Sequence, residues 1–269
     1  MVSLLLPQNR SRMADVAWIE YLNYVLVFAT GVLVGFINTL AGSGSLLTLP
    51  LLIWLGLDPL TANGTNRIAI FMQGVTGVVA FQRRKQFHYR TDLRYIVPAV
   101  VGSIPGAMIA ADLDPSAMQR VIALVMLAML IMMVINPQKR LTGMRVAFKG
   151  KTIVLVVVFF FIGMYGGFIQ AGVGIFILAG LSLLDNMDLL RANAVKVLIT
   201  LIFTIAVIPV FILNGQVNWF YGILLGAGSV AGTLISVGMA VKKGSPFLKG
   251  VLYTVIVITA LYMLFKNGF

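Results

Sequence analysis

The sequence predicts an all-α integral membrane protein of two inverted five-helix repeats, about 10 transmembrane segments, with short or broken helices at the midplane. Three observations carry this expectation. The composition is too apolar for water, the chain repeats itself at a spacing of 130 positions, and its basic loops all fall on one side of the membrane when each repeat has an odd count of segments.

Of 269 residues, 60% are hydrophobic and only 10% are charged, against roughly 25% charged in soluble domains. The runs 18–40, 153–169 and 251–265 are nearly free of charge, and about 20 apolar residues suffice for a helix to cross a bilayer. With no cysteine, disulfides, thiolate metal sites and cysteine nucleophiles are excluded. The one histidine, His88, sits among basic residues and reads as a solvated loop residue, so no metal or cofactor is expected. The net charge of +12 lies in short loops between apolar segments, the pattern of cytoplasmic loops rather than of a nucleic-acid binder. Arg10 and Arg12 are followed by Asp15 and Glu20 before the first apolar run, which disfavours a cleaved leader.

The duplication is visible without gaps. Shifting the chain lays Ala41-Gly42-Ser43-Gly44 over Ala171-Gly172-Val173-Gly174, and Asp58-Pro59-Leu60-Thr61-Ala62-Asn63 over Asp188-Leu189-Leu190-Arg191-Ala192-Asn193. Phe81 then meets Phe211, Gln86 meets Gln216, Gly102 meets Gly232 and Ala110 meets Ala240. Matches among Leu, Val and Ile are cheap in such a composition; matches at Asp, Asn, Gln and paired glycines are not. Self-similarity at one fixed spacing signals repeated structural units. The expected organisation is a tail over 1–16, a first repeat over 17–136, a basic cytoplasmic linker over 137–147 and a second repeat over 148–269.

Each repeat divides into five apolar segments. The first gives 17–40, 45–57, 61–82, 93–111 and 117–135, and the second 150–170, 174–184, 191–213, 219–241 and 247–265. An odd number of crossings starts the second copy on the opposite side of the membrane. Loop charge tests this independently. Arg83, Arg84, Lys85, Arg90 and Arg94 follow the third segment, Lys139, Arg140, Arg145, Lys149 and Lys151 the fifth, and Lys242, Lys243 and Lys249 the ninth. Ten crossings put all three loops on one side, the cytoplasmic one by the positive-inside rule. Both termini then lie outside, whereas a re-entrant hairpin of the first two segments would move the amino terminus inside.

The second and seventh segments are too short to span a hydrocarbon core about 30 Å thick, so the glycine-rich breaks before them are expected at depth. Irregular backbone there must be buried in protein or line a wet cavity, and paired breaks at matching positions of two repeats point to a transporter's midplane site. Gly42, Gly44, Gly172 and Gly174 permit sharp turns and close approach to a ligand. The helix starts that follow present N–H groups suited to an anion, with Ser43, Ser45 and Gln170 as added polar groups.

The third segment opens with Thr61-Ala62-Asn63-Gly64-Thr65-Asn66-Arg67, and at helical spacing Asn63, Asn66 and Arg67 share a face that Gln73 and Thr76 continue. Asn193, Lys196, Thr200 and Thr204 form the matching stripe. Such a stripe in hydrocarbon marks a cavity or a partner helix, and Arg67 and Lys196 suit a negative substrate. Plainer roles compete: Asn63 and Asn193 as helix caps, Arg67 and Lys196 snorkelling to headgroups, and Asp58 and Asp188 at membrane edges near helix starts. Gly102 with Gly106 and Gly222 with Gly226 read as close-packing pairs, and Gly-rich helix faces are candidates for a homodimer contact.

The G-x-G run, the stretch Leu46-Leu47-Thr48-Leu49-Pro50 and the downstream Ala62-Asn63-Gly64-Thr65-Asn66 resemble the sulfite exporter TauE/SafE family of anion permeases, over nearly the whole chain and in duplicated form. The resemblance implies movement of sulfur-containing anions, such as sulfite or organosulfonates, across the bacterial inner membrane. The usual glycine run is altered to Ala-Gly-Ser-Gly-Ser in one half and Ala-Gly-Val-Gly in the other, which bears on binding geometry at Ser43 and Val173.

The leading expectation is therefore a secondary transporter of a small anion, with the two breaks meeting near the midplane. Its site residues are Gly42, Ser43, Gly44, Ser45, Asn63, Thr65, Asn66, Arg67, Gln170, Gly172, Gly174, Asn193 and Lys196. A passive anion channel would use the same electropositive helix ends. A membrane-embedded lipid-processing enzyme would need clustered carboxylates or a nucleophile, and the eight acidic residues are scattered. Proton coupling usually leaves a carboxylate or histidine in the membrane interior, and neither repeat contains a clear one.

Overall fold

The computed structural model describes residues 6–42, 44–135, 151–187 and 189–239. Among them the chain forms nine helices: α1 (Leu6–Ala41), α2 (Ser45–Trp54), α3 (Pro59–Gln82), α4 (Tyr89–Ala111), α5 (Pro115–Ile135), α6 (Lys151–Phe168), α7 (Val173–Asp185), α8 (Leu189–Leu213) and α9 (Trp219–Met239). Four contain stretches long and apolar enough to cross a membrane, namely Trp18–Thr39 within α1, α4, Leu190–Leu213 of α8, and Trp219–Gly238 of α9. The linker 137–147, the tenth segment and the loop lysines at 242, 243 and 249 lie outside the described residues.

The helix ends follow from local chemistry. An Asp-Pro pair opens both α3 and α5. The Asp58 carboxylate accepts from the Leu60 and Thr61 N–H groups at 3.0 and 3.1 Å, and Pro59 occupies the first helical position, where its missing N–H costs nothing. Asp114 likewise accepts from Ala117 N–H at 2.9 Å, a bond that holds its carboxyl below the usual carboxylate range. Both helices thus begin a residue or two ahead of their apolar runs. At the chain's start, α1 extends back to Leu6, through most of the expected tail. Arg, Met and Ala are good helix formers, and the Arg10 to Ala14 stretch continues the helix beyond its apolar part.

The helices pair across the two halves of the chain. α1 packs along α9, and α4 along α6. A Cβ on Gly232 would strike the Val32 carbonyl and one on Gly102 the Phe160 carbonyl, so these pairs touch backbone to backbone. Hydroxyls add to the first pair: Thr39 Oγ1 donates to Thr233 Oγ1 at 3.2 Å and Ser236 Oγ to the Phe36 carbonyl at 3.1 Å. The glycine pairs expected to pack are used within the chain, Gly106 against Met164, Gly222 against Ile68 and Gly226 against Met72.

Contacts also give the directions. Gly31 meets Leu225 and Gly35 meets Ser229, so α1 and α9 run parallel; Ala99 meets Gly163 and Ser103 meets Gly167, so α4 and α6 do too. α3 and α9 are parallel, through Ile68 with Gly222 and Met72 with Gly226, whereas α3 and α8 are antiparallel, through Gly74 with Leu201 and Gly77 with Val197. The starts of α4 and α8 meet at Asp92 and Arg191, and the Gln216 side chain beyond the end of α8 donates to the Ala111 carbonyl at the end of α4. Following these relations through, α1 and α6 point in opposite directions, as do α3 and α8, and α4 and α9.

α2 and α7 have 10 and 13 residues, about 15 and 20 Å at 1.5 Å per residue. Leu46, Leu47 and Leu49 of α2 are buried in one apolar cluster with Val34, Ile37, Met129 and Phe211, and Val173, Ile177 and Leu181 of α7 in another with Phe159 and Phe203. Outward faces are apolar as well: Val97, Val101, Ile223, Leu234 and Ile235 are exposed, as expected where lipid rather than water is the solvent.

Candidate functional site

The two backbone breaks meet in space. Gly42 follows α1 with φ +75° and Gly172 precedes α7 with φ +71°, left-handed conformations that a side chain disfavours. The Gly174 N–H donates to the Gly42 carbonyl at 3.2 Å. A Cβ on either residue would overlap the other's backbone. Gln170 also has positive φ, at 59°, and the Tyr165 hydroxyl ties down the Ala171 carbonyl beside it.

A helix that stops inside the protein leaves its last carbonyls without partners. One buried cation serves each break. Lys196 Nζ donates to the Asn38 and Thr39 carbonyls at 3.0 and 3.1 Å and to Asn193 Oδ1 at 2.9 Å. The Arg67 guanidinium donates to the Gly166 carbonyl at 2.6 Å, the Gly167 carbonyl at 2.8 Å, Gln170 Oε1 at 2.9 Å and Asn63 Oδ1 at 3.4 Å, and it stacks on Phe211. The Asn38 and Thr39 carbonyls lie in the last turn of α1 and those of Gly166 and Gly167 in the last turn of α6, two positions out of the 130-residue register, so each cation serves the end of one helix. Positive charge at a helix C-terminus is favourable. Both side chains are buried, which overturns the snorkelling alternative. Neither bonds a carboxylate among the described residues, so two positive charges stand in the interior without acidic partners.

Beside the breaks is a cavity of about 20 Å³, room for a water. α1 contributes Asn38, α3 contributes Gln73 and Gly74, and α8 contributes Lys196 and Thr200. Of the expected site residues, Gly42, Ser45, Gln170, Gly174 and Lys196 reach this wall. Asn193 and Arg67 stand behind it, holding Lys196 and Gln170. Asn63 is not the cap of α3, a place taken by Asp58; its Nδ2 donates to the Phe168 carbonyl at 2.9 Å. Thr65 is turned away, its Oγ1 accepting the Asn218 N–H at 2.8 Å. Asn66 accepts from Thr48 Oγ1 at 2.7 Å, and its Nδ2 is buried without a partner. Gly44 N–H bonds to Asn38 Oδ1 at 3.0 Å, and Gly172 backs onto Met129. Ser43 and Asp188 lie outside the described residues.

The expected cradle of free N–H groups at the α7 start is not what forms. Val173 and Ile175 N–H bond to the carbonyls of Gln170 and Gly172, and Gly174 to Gly42. Side chains therefore carry the polar character of the cavity. Sequence reasoning missed Asn38 altogether. Its signal was an amide within an apolar helix, four residues before the break.

A family model described as "Sulfite exporter TauE/SafE" matches residues 27–263. The probable membrane transporter protein ORF9 of Sinorhizobium sp is 25% identical over 240 residues, covering 88% of this chain and 91% of that one. A probable membrane transporter protein of Haemophilus influenzae is 25% identical over 248 residues, with 90% and 95% covered. The probable membrane transporter protein YfcA of Escherichia coli K12 is 24% identical over 249 residues, with 90% of each covered. No solved structure matches the chain.

Proposed function

We propose, from the premise that the chain belongs to the sulfite exporter TauE/SafE family, that it is a secondary transporter of a small anion, sulfite, an organosulfonate or a related sulfur oxyanion, across the bacterial inner membrane. One observation carries the choice of an anion: Lys196 and Arg67 are buried beside the meeting breaks, and neither bonds a carboxylate among the described residues. Buried charge is costly unless compensated, and an anion entering from water supplies the missing counter-charge. Lys196 is in the cavity wall and attracts it directly; Arg67 acts from behind through Gln170.

The opposed directions of α1 and α6, α3 and α8, and α4 and α9 support the reading of two inverted repeats. In this reading they form about ten spans, with the site at their common centre. The cavity is smaller than a sulfonate, so loading requires helices to part, and rocking one bundle against the other exposes the centre to each side in turn. An anion leaving a negative interior gains about 2.3 kcal/mol per charge per 100 mV, enough for export without a coupling ion.

The test is flux in liposomes containing the purified protein, with labelled sulfite and labelled sulfonates. Saturable uptake that responds to membrane potential is the expected result. Flux that never saturates would mean a channel, and no anion flux under any gradient would sink the proposal.

A further inference from the structure

Two hydrogen-bond relays run towards the cavity, and each starts at a group that can only donate. The first begins at the backbone N–H of Gly44, which bonds Asn38 Oδ1 at 3.0 Å. That contact fixes the Asn38 amide, leaving its Nδ2 to donate to Gln73 Oε1 at 3.2 Å. With its oxygen occupied, Gln73 is fixed as well, and its Nε2 is left as a donor in the wall of the cavity. Gln73 is 7% exposed, and its Nε2 donates to no described group. The second relay begins at Arg67, whose guanidinium has no acceptor atom. It bonds Gln170 Oε1 at 2.9 Å, so Gln170 Nε2 donates to Thr204 Oγ1 at 2.9 Å.

An amide side chain is ordinarily ambivalent, with an oxygen that accepts and a nitrogen that donates. Here neither glutamine is free to choose. The ammonium of Lys196 gives all three of its hydrogens to Asn38, Thr39 and Asn193. It offers charge to the cavity without a spare hydrogen bond, which leaves the oriented amide to bond the ligand's oxygen.

We propose that Gln73 is a specificity-determining residue of this site, its Nε2 held as a hydrogen-bond donor towards an oxyanion by the relay from Gly44 through Asn38. Asn38 is then a positioning residue. The inference rests on the anion reading above and deepens it: the ligand presents oxygen acceptors to Gln73, and a ligand of similar size that offers only donors is refused.

The test is equilibrium binding of sulfite and of methanesulfonate to the purified full-length protein, by calorimetry in detergent. Gln73→Met keeps the length of the side chain and removes the donor, and it should weaken both anions about 10- to 100-fold, the range for a hydrogen bond to a charged group. Asn38→Asp still accepts from Gly44 but cannot donate, so Gln73 must reverse and show its oxygen to the ligand. This variant should weaken binding at least as much. Combining the two should cost less than the product of the single effects, because the orientation of an absent amide no longer matters. Full multiplication in the double variant would mean that Asn38→Asp acts only through its charge, and would overturn the relay. Wild-type affinity in Gln73→Met overturns the assignment and leaves transport standing. If wild-type protein binds neither anion, the anion reading falls and this inference with it. Should Gln73→Met fail to insert, Asn38→Asp alone reads the same orientation, and unchanged affinity there is equally decisive against it.

Discussion

Lys196 has two duties that pull on the same ammonium group. It closes the exposed end of α1 by bonding the Asn38 and Thr39 carbonyls, and it is the charged member of the cavity wall. Lys196→Met removes both. It should lower anion flux by about 100-fold or more, since the attraction between unit charges about 4 Å apart is worth about 4 kcal/mol at an effective dielectric constant of about 20. Flux in liposomes measures this. Arg67→Met touches no ligand in this account, so it should act mainly on stability. It strips donors from the Gly166 and Gly167 carbonyls, and about 3–5 kcal/mol is the scale for breaking a buried charged network. Thermal unfolding in detergent checks it. Gly42→Ala meets two obstacles together, the left-handed backbone at about 1–2 kcal/mol and the overlap with Gly174. It should abolish folded protein in the membrane fraction, whereas alanine at Gly215, a left-handed glycine with open space around it, should be tolerated with only the backbone penalty.

At the level of the helices, what could be read in advance was where the chain breaks and how long the pieces are. Glycine pairs, the 130-residue spacing and the short apolar runs of α2 and α7 are all local features. What could not be read was which helix touches which. That α1 lies along α9 depends on glycines meeting carbonyls roughly 200 positions away, a match of surfaces that no local pattern records. The same limit explains Thr65 and Asn63. Their spacing correctly put them on a helix, but the partners that claim them, Asn218 and Phe168, come from the other half. One group of contacts was also invisible: Arg191 bonds Asp92 at 3.1 Å and Arg94 bonds Asp185 at 2.6 Å, tying the start of α4 to the end of α7 and the start of α8. The opposite end is joined by neutral bonds, Asn218 to Thr65 and Gln216 to Ala111. Because Asp92 is fully buried, Arg191→Ala leaves a carboxylate short of a partner, and a loss of about 1–3 kcal/mol in unfolding free energy is expected. Arg94 is the more exposed partner, and Arg94→Ala should cost less than about 1 kcal/mol.

For the molecule as a whole, a chain without cysteine is a ready background for mapping sides. A single cysteine at Lys85 and one at Gly215 occupy loops at opposite ends of α3 and α8. With the basic loops inside, an impermeant thiol reagent applied to intact cells should label the cysteine at 215 and spare the one at 85; the reverse pattern would invert the assigned orientation. Direct contact between Gly42 and Gly174 has a consequence for the history of the gene. On the proposed reading of two repeats, the copies drift apart independently over most of their length, with glutamine aligned to phenylalanine at positions 73 and 203 and asparagine to lysine at 66 and 196. Where the copies press against one another, a change in one is judged by the shape of the other. The two glycine turns are thus bound to a shared fate, the part of the ancestral unit that divergence was least free to erase.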